Sequence, residues 1–260
     1  MKLIDLTVLK AKKYGSFCEL ETGGKFEPSV PGQFYMLKGD DWDGNPLLPR
    51  PISVMDEDAK AGKITFLIKD LGEGSKRLME IKAGGKLKAT GPLGNHFPVE
   101  NISKGDEVLL IGGGVGVPPL YYLLQKLTAE GFKPIFLEGA KVKEELLLLA
   151  EIKKLGVTPV IATEDGSVGI KGFVTEAAKK YAGTAGAVFA CGPRGMLKAV
   201  SRLFDNGKTR CFISLEERMA CGYGVCLGCA VGIKDSEKEM HFDRVCVEGP
   251  VFDSRVVIWE

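Results

Sequence analysis

The sequence predicts a multidomain chain in three parts: an antiparallel β-barrel over residues 1–100, an α/β parallel-sheet unit over 101–210 and a small cysteine-rich domain over 211–260. Three observations carry this expectation. Short apolar runs broken by Gly, Pro and Asp fill the first part, strands alternating with amphipathic stretches fill the second, and four cysteines crowd the third. A chain of 260 residues is long enough for two domains and marginal for three.

In the first part the runs Lys2 to Leu9, Gln33 to Leu37 and Lys63 to Ile68 read as strands. In the last of them Ile64, Phe66 and Ile68 alternate with Thr65, Leu67 and Lys69, the period-2 pattern of a half-buried strand. Many short strands of this kind close most easily as a barrel. The period changes near residue 102: an apolar strand Glu107 to Ile111 meets the glycine run Gly112 to Gly116. An amphipathic stretch Leu120 to Leu127 and a strand Pro134 to Leu137 follow. Two more βα units, with strands at Thr158 to Thr163 and Ala187 to Cys191, imply a parallel sheet with crossover helices. The last stretch holds the cysteine loop, a polar turn at 234–239 and a closing strand at Arg255 to Trp259.

Composition narrows the function classes. Lys plus Arg number 35 against 34 Asp plus Glu, a balance that gives no electrostatic case for nucleic acid or an anionic membrane. No apolar run approaches the ~20 residues that cross a bilayer, and residues 1–20 show no secretory pattern, so a cytoplasmic location is expected. Seven cysteines, four of them in one motif, fit a reducing compartment where thiols serve metals. Cys18 and Cys211 lie in strand-like stretches and read as core.

Cys221, Cys226, Cys229 and Cys246 are spaced C-x4-C-x2-C-x16-C, the ligand spacing of a [2Fe-2S] cluster. Gly222, Gly224 and Gly228 between them are free to adopt φ > 0 and to turn backbone N–H groups toward the cluster sulfurs. A structural zinc usually shows two separated cysteine or histidine pairs, and disulfides need an oxidising compartment; both stay open on spacing alone.

Arg50-Pro51-Ile52-Ser53 opens a strand after a turn-rich stretch; its arginine suits a phosphate and its serine a flavin ring edge. The strand Thr65 to Lys69 runs into Asp70 to Ser75 and a helix over Lys76 to Ile81, with Ser75 as N-cap and Gly72 and Gly74 leaving N–H groups free for a pyrophosphate. Gly112, Gly113, Gly114 and Gly116 follow a buried strand and precede a helix, where dinucleotide phosphates bind. The run departs from G-x-G-x-x-G because Val117 and Pro119 stand where glycine is required. Cys191-Gly192-Pro193 ends another strand of the same sheet edge. Glu138 ends the strand between them, 26 residues after Gly112 and later than the usual ribose-binding acid. His96 and His241 read as structural or solvated.

In this order the elements resemble the ferredoxin-NADP+ reductase superfamily. With the cysteine loop added, essentially the whole chain is similar to the electron-transfer subunits of class 1B, NAD-dependent dihydroorotate dehydrogenases. The motifs that carry the resemblance are Arg50 to Ser53, Leu67 to Lys69 with Gly74-Ser75, Gly91 to Gly94, Gly112 to Leu120, Cys191 to Pro193, and Ser214 to Gly222 leading through Cys246 to Gly249 to Phe252. The resemblance implies FAD on Arg50, Pro51, Ile52, Ser53, the backbone of Leu67, Ile68 and Lys69, Gly74 and Ser75, the last in place of a threonine. It implies a [2Fe-2S] cluster on the four cysteines and exchangeable NAD(H) on the Gly112 and Cys191 loops.

It also implies an FMN-containing catalytic partner in a 2+2 heterotetramer, where dihydroorotate becomes orotate in pyrimidine biosynthesis. The general acid or base chemistry would then lie on that partner. NADH delivers hydride and the cluster takes single electrons, so FAD stands between them. Tyr223, Val225 and Leu227 are candidates for the docking face or for shielding the cluster. A sister reductase of ferredoxin or of sulfur substrates is the alternative, kept open by Lys141 and Lys143.

Overall fold

The computed structural model describes residues 2–100, 102–234, 237 and 239–259. Six strands, β1 (Lys2–Tyr14), β2 (Phe17–Gly23), β3 (Phe34–Gly39), β4 (Arg50–Asp58), β5 (Lys63–Lys69) and β6 (Lys86–Leu93), close a barrel in the order β1-β2-β5-β4-β3-β6. A helix, α1 (Glu73–Glu80), crosses between β5 and β6. Ile64, Phe66 and Ile68 point into the barrel core with Leu20, Leu37 and Val54, and Tyr35 packs edge-on against Phe66 with centroids 5.8 Å apart. Leu67, on the opposite face of β5, enters a second core shared with the sheet. One strand therefore serves two layers.

The second unit runs β7 (Val108–Gly113), α2 (Val117–Ala129), β8 (Ile135–Ala140), α3 (Leu149–Lys154), β9 (Val160–Thr163), β10 (Ile170–Lys171), α4 (Val174–Ala178), β11 (Ala187–Cys191), α5 (Arg194–Leu203) and β12 (Arg210–Ser214). A hairpin, β13 (Ala230–Lys234) with β14 (Met240–Arg244), and a short strand β15 (Val251–Asp253) complete the chain. Among the described residues the large sheet has the order β10-β9-β8-β7-β11-β12-β15, parallel except for the antiparallel pair β12/β15. The order reverses between β7 and β11, so their carboxyl ends form the crevice where open α/β sheets bind ligands.

Helix α2 starts earlier than its apolar pattern indicated, because Pro118 and Pro119 occupy the first turn, where a missing N–H costs nothing. It also joins the two units. Tyr122 Oη donates to the Ser29 carbonyl at 3.0 Å and Gln125 Nε2 to Asp56 Oδ1 at 3.1 Å, while Val117, Leu120 and Leu124 share a core with Met55 and Leu67.

Two expectations are corrected. The closing strand is Val251–Asp253 rather than Arg255 to Trp259: Asp253 Oδ1 accepts the Arg255 N–H at 3.0 Å and turns the chain, leaving a single bridge from Val257 to Ile233. Strand β12 spans residues 210 and 211, pairing with Ala187–Cys191 and extending the parallel sheet. Helix α1 begins at Glu73 with Gly72 as its cap residue, so Ser75 is not the N-cap. Its hydroxyl donates to the Gly72 carbonyl at 2.9 Å and accepts the Leu71 N–H at 2.9 Å, bracing the turn from inside. Residues 235, 236 and 238 of the expected polar turn lie outside the described residues.

Candidate functional site

A cavity of about 330 Å³ opens where the barrel meets the sheet. One wall is Arg50, Pro51, Ile52, Ser53, Leu67, Lys69, Gly74 and Ser75, and the facing wall is Val115, Pro118, Cys191, Ser214, Glu216 and Met219. Ile68 turns its side chain away into the barrel core. The Arg50 guanidinium lies across the backbone of Gly74: a Cβ there would stand 2.2 Å from Arg50 Nε. Gly74 is thus the residue that lets an arginine rest against the first turn of α1, and cation and helix N-terminus converge on one spot, as an anionic phosphate requires. Arg50 Nη1 is steadied by the Leu48 carbonyl at 2.8 Å. On the facing wall, burial and then the neighbouring Glu216 keep the Cys191 thiol protonated.

The two loops expected on one sheet edge touch. Gly112 lies in register with Cys191, and a Cβ on Gly116 would stand 2.0 Å from the Cys191 carbonyl oxygen. Gly113 leaves the same kind of room for Met196 and Pro193, and Gly192 for Met196. Gly114, at φ 54°, turns the chain into the helix. These glycines therefore serve the close approach of two loops as well as any ligand.

Cys221 lies within hydrogen-bonding reach of Cys226, and Cys246 within reach of Cys229. Burial acts to raise the Cys221 thiol, yet the N–H groups of Cys226, Tyr223 and Val225 overcome it and hold the thiol at about 6, near the thiolate form that metals bind. Burial and the neighbouring Cys229 push Cys246 up to about 12. The four thiols thus fall into two neighbouring pairs, and Cys221 of the first is felt electrostatically by Cys246 of the second. Gly222 and Gly224 adopt φ of 80° and 84°, whereas the third left-handed position is Leu227 at 57° rather than the expected Gly228. A Cβ on Gly222 would meet Met36, so the loop seats directly on the barrel, and Met219 carries it to the rim of the cavity.

Residues 216–258 match the family model described as the iron-sulfur cluster binding domain of dihydroorotate dehydrogenase B, and residues 110–202 that of an oxidoreductase NAD-binding domain. The dihydroorotate dehydrogenase B (NAD(+)) electron transfer subunit of Bacillus cereus (strain G9842) is 40% identical over 222 residues, covering 85% of this chain and 84% of the relative. The chain belongs to the dihydroorotate dehydrogenase B electron transfer subunit family. The Bacillus anthracis (strain CDC 684 / NRRL 3495) subunit of the same name matches equally, at 40% identity. Among solved structures, that of an NADH-dependent reduced ferredoxin-NADP oxidoreductase superposes with a TM-score of 0.84 at 27% identity, covering 98% of this chain and 90% of the other. The ferredoxin reductase of carbazole 1,9a-dioxygenase shares the fold at a TM-score of 0.69 and 19% identity.

Within this family member, several residues carry structure at the site that the motifs alone did not assign. Asn95 clamps the C-terminal Gly249 to Val251 segment onto the barrel: its Nδ2 donates to the carbonyls of Glu248 (2.8 Å) and Val251 (2.7 Å), and its Oδ1 accepts the Val251 N–H (2.9 Å). It follows the Gly91 to Gly94 motif directly, the only signal the sequence offers. Arg194, on the Cys191 loop, pairs with Glu217 at 2.9 Å and stacks on Trp259, so the nucleotide loop, the segment before Cys221 and the C-terminal segment are tied together.

Glu138 does not face the crevice. Its side chain is buried, and Oε1 accepts the Leu147 N–H at 2.5 Å, so it anchors the loop before α3 instead of reading a ribose. His96 is exposed, and exposed His241 lies 3.4 Å from Asp243; Cys18 and Cys211 are buried core.

Proposed function

We propose that this chain is the electron-transfer subunit of an NAD-dependent dihydroorotate dehydrogenase of pyrimidine biosynthesis, passing electrons from a catalytic subunit's flavin through a [2Fe-2S] cluster and FAD to NAD+. The observation that carries this reading is the meeting of three sites at one junction. Arg50 to Ser53 and the Cys191 loop share one cavity, and Met219 at its rim leads within two residues to Cys221. FAD, when bound, converts between a hydride and single electrons, and the protein supplies placement and electrostatics.

Within this proposal Arg50, Pro51, Ile52, Ser53, Leu67, Ile68, Lys69, Gly74 and Ser75 hold FAD, with Arg50 and the start of α1 on its pyrophosphate. Gly112, Gly113, Gly114, Gly116, Cys191, Gly192 and Pro193 receive NAD(H), and Cys221, Cys226, Cys229 and Cys246 ligate the cluster. The functional division is a flavin unit over 1–100, a nucleotide unit over 101–210 and a cluster unit over 211–260 whose outer strands complete the nucleotide sheet. The partner is an FMN-containing catalytic subunit in a 2+2 assembly. It docks on the exposed apolar residues Tyr223, Val225 and Leu227 beside the cluster, with Met240 and Phe242 of the hairpin extending the same kind of surface. Cysteines kept for a cluster and for the core rather than for crosslinks support a cytoplasmic setting, and no described helix is long and apolar enough to cross a membrane.

Anaerobically purified chain is expected to contain FAD with two irons and two sulfides per chain, and NADH is expected to bleach both chromophores. A colourless chain containing zinc overturns the reading. A second reading, an NAD(P)H-dependent reductase of ferredoxin or sulfur substrates, is favoured by the TM-score of 0.84 to the ferredoxin-NADP oxidoreductase structure. Ferredoxin reduction by NADH at rates above those with a dihydroorotate-oxidising subunit would select it.

A further inference from the structure

Arg244 ends β14 opposite Ala230, beside the ligand Cys229. The next residue, Val245, donates its N–H to the Cys229 carbonyl at 3.0 Å. The Arg244 carbonyl itself accepts the N–H groups of Val247 (3.0 Å) and Glu248 (2.9 Å), closing the turn that carries Cys246. Its backbone thus joins the second ligand pair. Its side chain reaches the first: Nη1 donates to the Gly224 carbonyl at 2.9 Å, midway between Cys221 and Cys226. Gly224 has no room for a side chain, since a Cβ would meet Arg244 Nη1 at 2.9 Å and Val247 at 2.7 Å. Glu248 fixes the guanidinium from the other side, accepting from Nε at 3.0 Å, from Nη2, and from the Arg244 backbone N–H at 2.7 Å.

We propose that Arg244 is a positioning residue of the cluster that holds the Cys221/Cys226 loop against the Cys229/Cys246 turn and raises the cluster's reduction potential, with Glu248 aiming it and moderating its charge. The inference rests on the cluster assignment above. Four thiolates already concentrate negative charge in the site, and reduction adds one electron more. A fixed cation beside them favours the reduced form, and a carboxylate in the same place opposes it. A bidentate arginine–carboxylate pair holds its geometry better than a lysine would.

The test uses the full chain loaded with FAD and cluster. Iron and sulfide content is measured first, then the cluster midpoint by a redox titration followed by electron paramagnetic resonance. Arg244→Gln is expected to shift the midpoint to more negative potential and Glu248→Gln to more positive potential. Arg244→Lys is expected to keep the midpoint nearer wild type than Arg244→Gln while losing its cluster faster in air. Shifts of the same sign in the two glutamine variants, or no shift in either, overturn the proposal, because a merely structural role has no reason to produce opposite signs. If Arg244→Gln fails to hold a cluster, the Glu248→Gln midpoint decides alone, and an unchanged or more negative value overturns the proposal. A wild-type chain free of iron and sulfide overturns the underlying assignment, and the proposal with it.

Discussion

Glu138 is a carboxyl group in an apolar wall, and its environment sets its charge. Burial pushes it up to about 8 against a single compensating N–H from Leu147, so the folded chain keeps it protonated at neutral pH. An unfolded chain releases that proton near its ordinary value of 4.5. Between these limits the folded state binds the extra proton, so this group's contribution to stability falls as pH rises, by at most about 1.4 kcal/mol per pH unit, and levels off above pH 8. Glu138→Gln retains the acceptor for Leu147 and removes the titration. Its melting temperature is expected to exceed wild type by an increasing margin from pH 5 to 8; a constant margin counts against the assignment. Gly74 governs how Arg50 meets the start of α1. In Gly74→Ala the new methyl displaces the Arg50 guanidinium, the mobile end of a side chain, so the chain folds. FAD binding weakens on the order of tenfold, the loss of a charge-assisted hydrogen bond of about 1.5 kcal/mol. Fluorescence titration of the deflavinated chain measures this, and unchanged affinity would contradict the role given to Arg50.

The cysteine loop shows at the scale of elements how much a sequence reveals and where it stops. Ligand spacing is local, so C-x4-C-x2-C-x16-C was readable, and so were the left-handed turns at Gly222 and Gly224. The turn at Leu227 was not readable, because a non-glycine at φ 57° is tolerated only when surrounding structure imposes it. The same limit applies to α1. Gly74 is a poor helix former, and the helix extends over Glu73 and Gly74 because Ser75 ties back to Leu71 and Gly72. The bond from Arg244 to Gly224 spans 20 residues, and the Asn95 clamp spans 153 to 156, distances at which no local pattern speaks. The loop's exposed face carries the docking prediction. Leu227→Asp places a charge on that face, and aspartate tolerates the left-handed conformation, so the cluster should persist. Association with the catalytic subunit is expected to weaken at least tenfold by analytical gel filtration or light scattering. Unchanged association excludes this face.

At the scale of the whole molecule, the barrel and the parallel sheet were legible because each repeats a period: alternation at Ile64, Phe66 and Ile68, and strand, glycine loop and helix at Gly112 and Cys191. Their relation was not. The cavity exists because α2 locks the barrel to the sheet through Tyr122 and Gln125, and because β15 returns to the sheet edge and draws the cysteine loop between them. The residues proposed for nucleotide, flavin and cluster thereby meet at one junction, the arrangement a carrier between hydride and single electrons needs. The most direct measurement mixes purified chain with a dihydroorotate-oxidising catalytic subunit and follows NAD+ reduction at 340 nm, a wavelength set by the nicotinamide. Dihydroorotate-dependent NADH formation is expected only with both subunits present, and to vanish with Cys226→Ser. Formation of NADH by the catalytic subunit alone, or its persistence at wild-type rate in Cys226→Ser, would contradict the central claim.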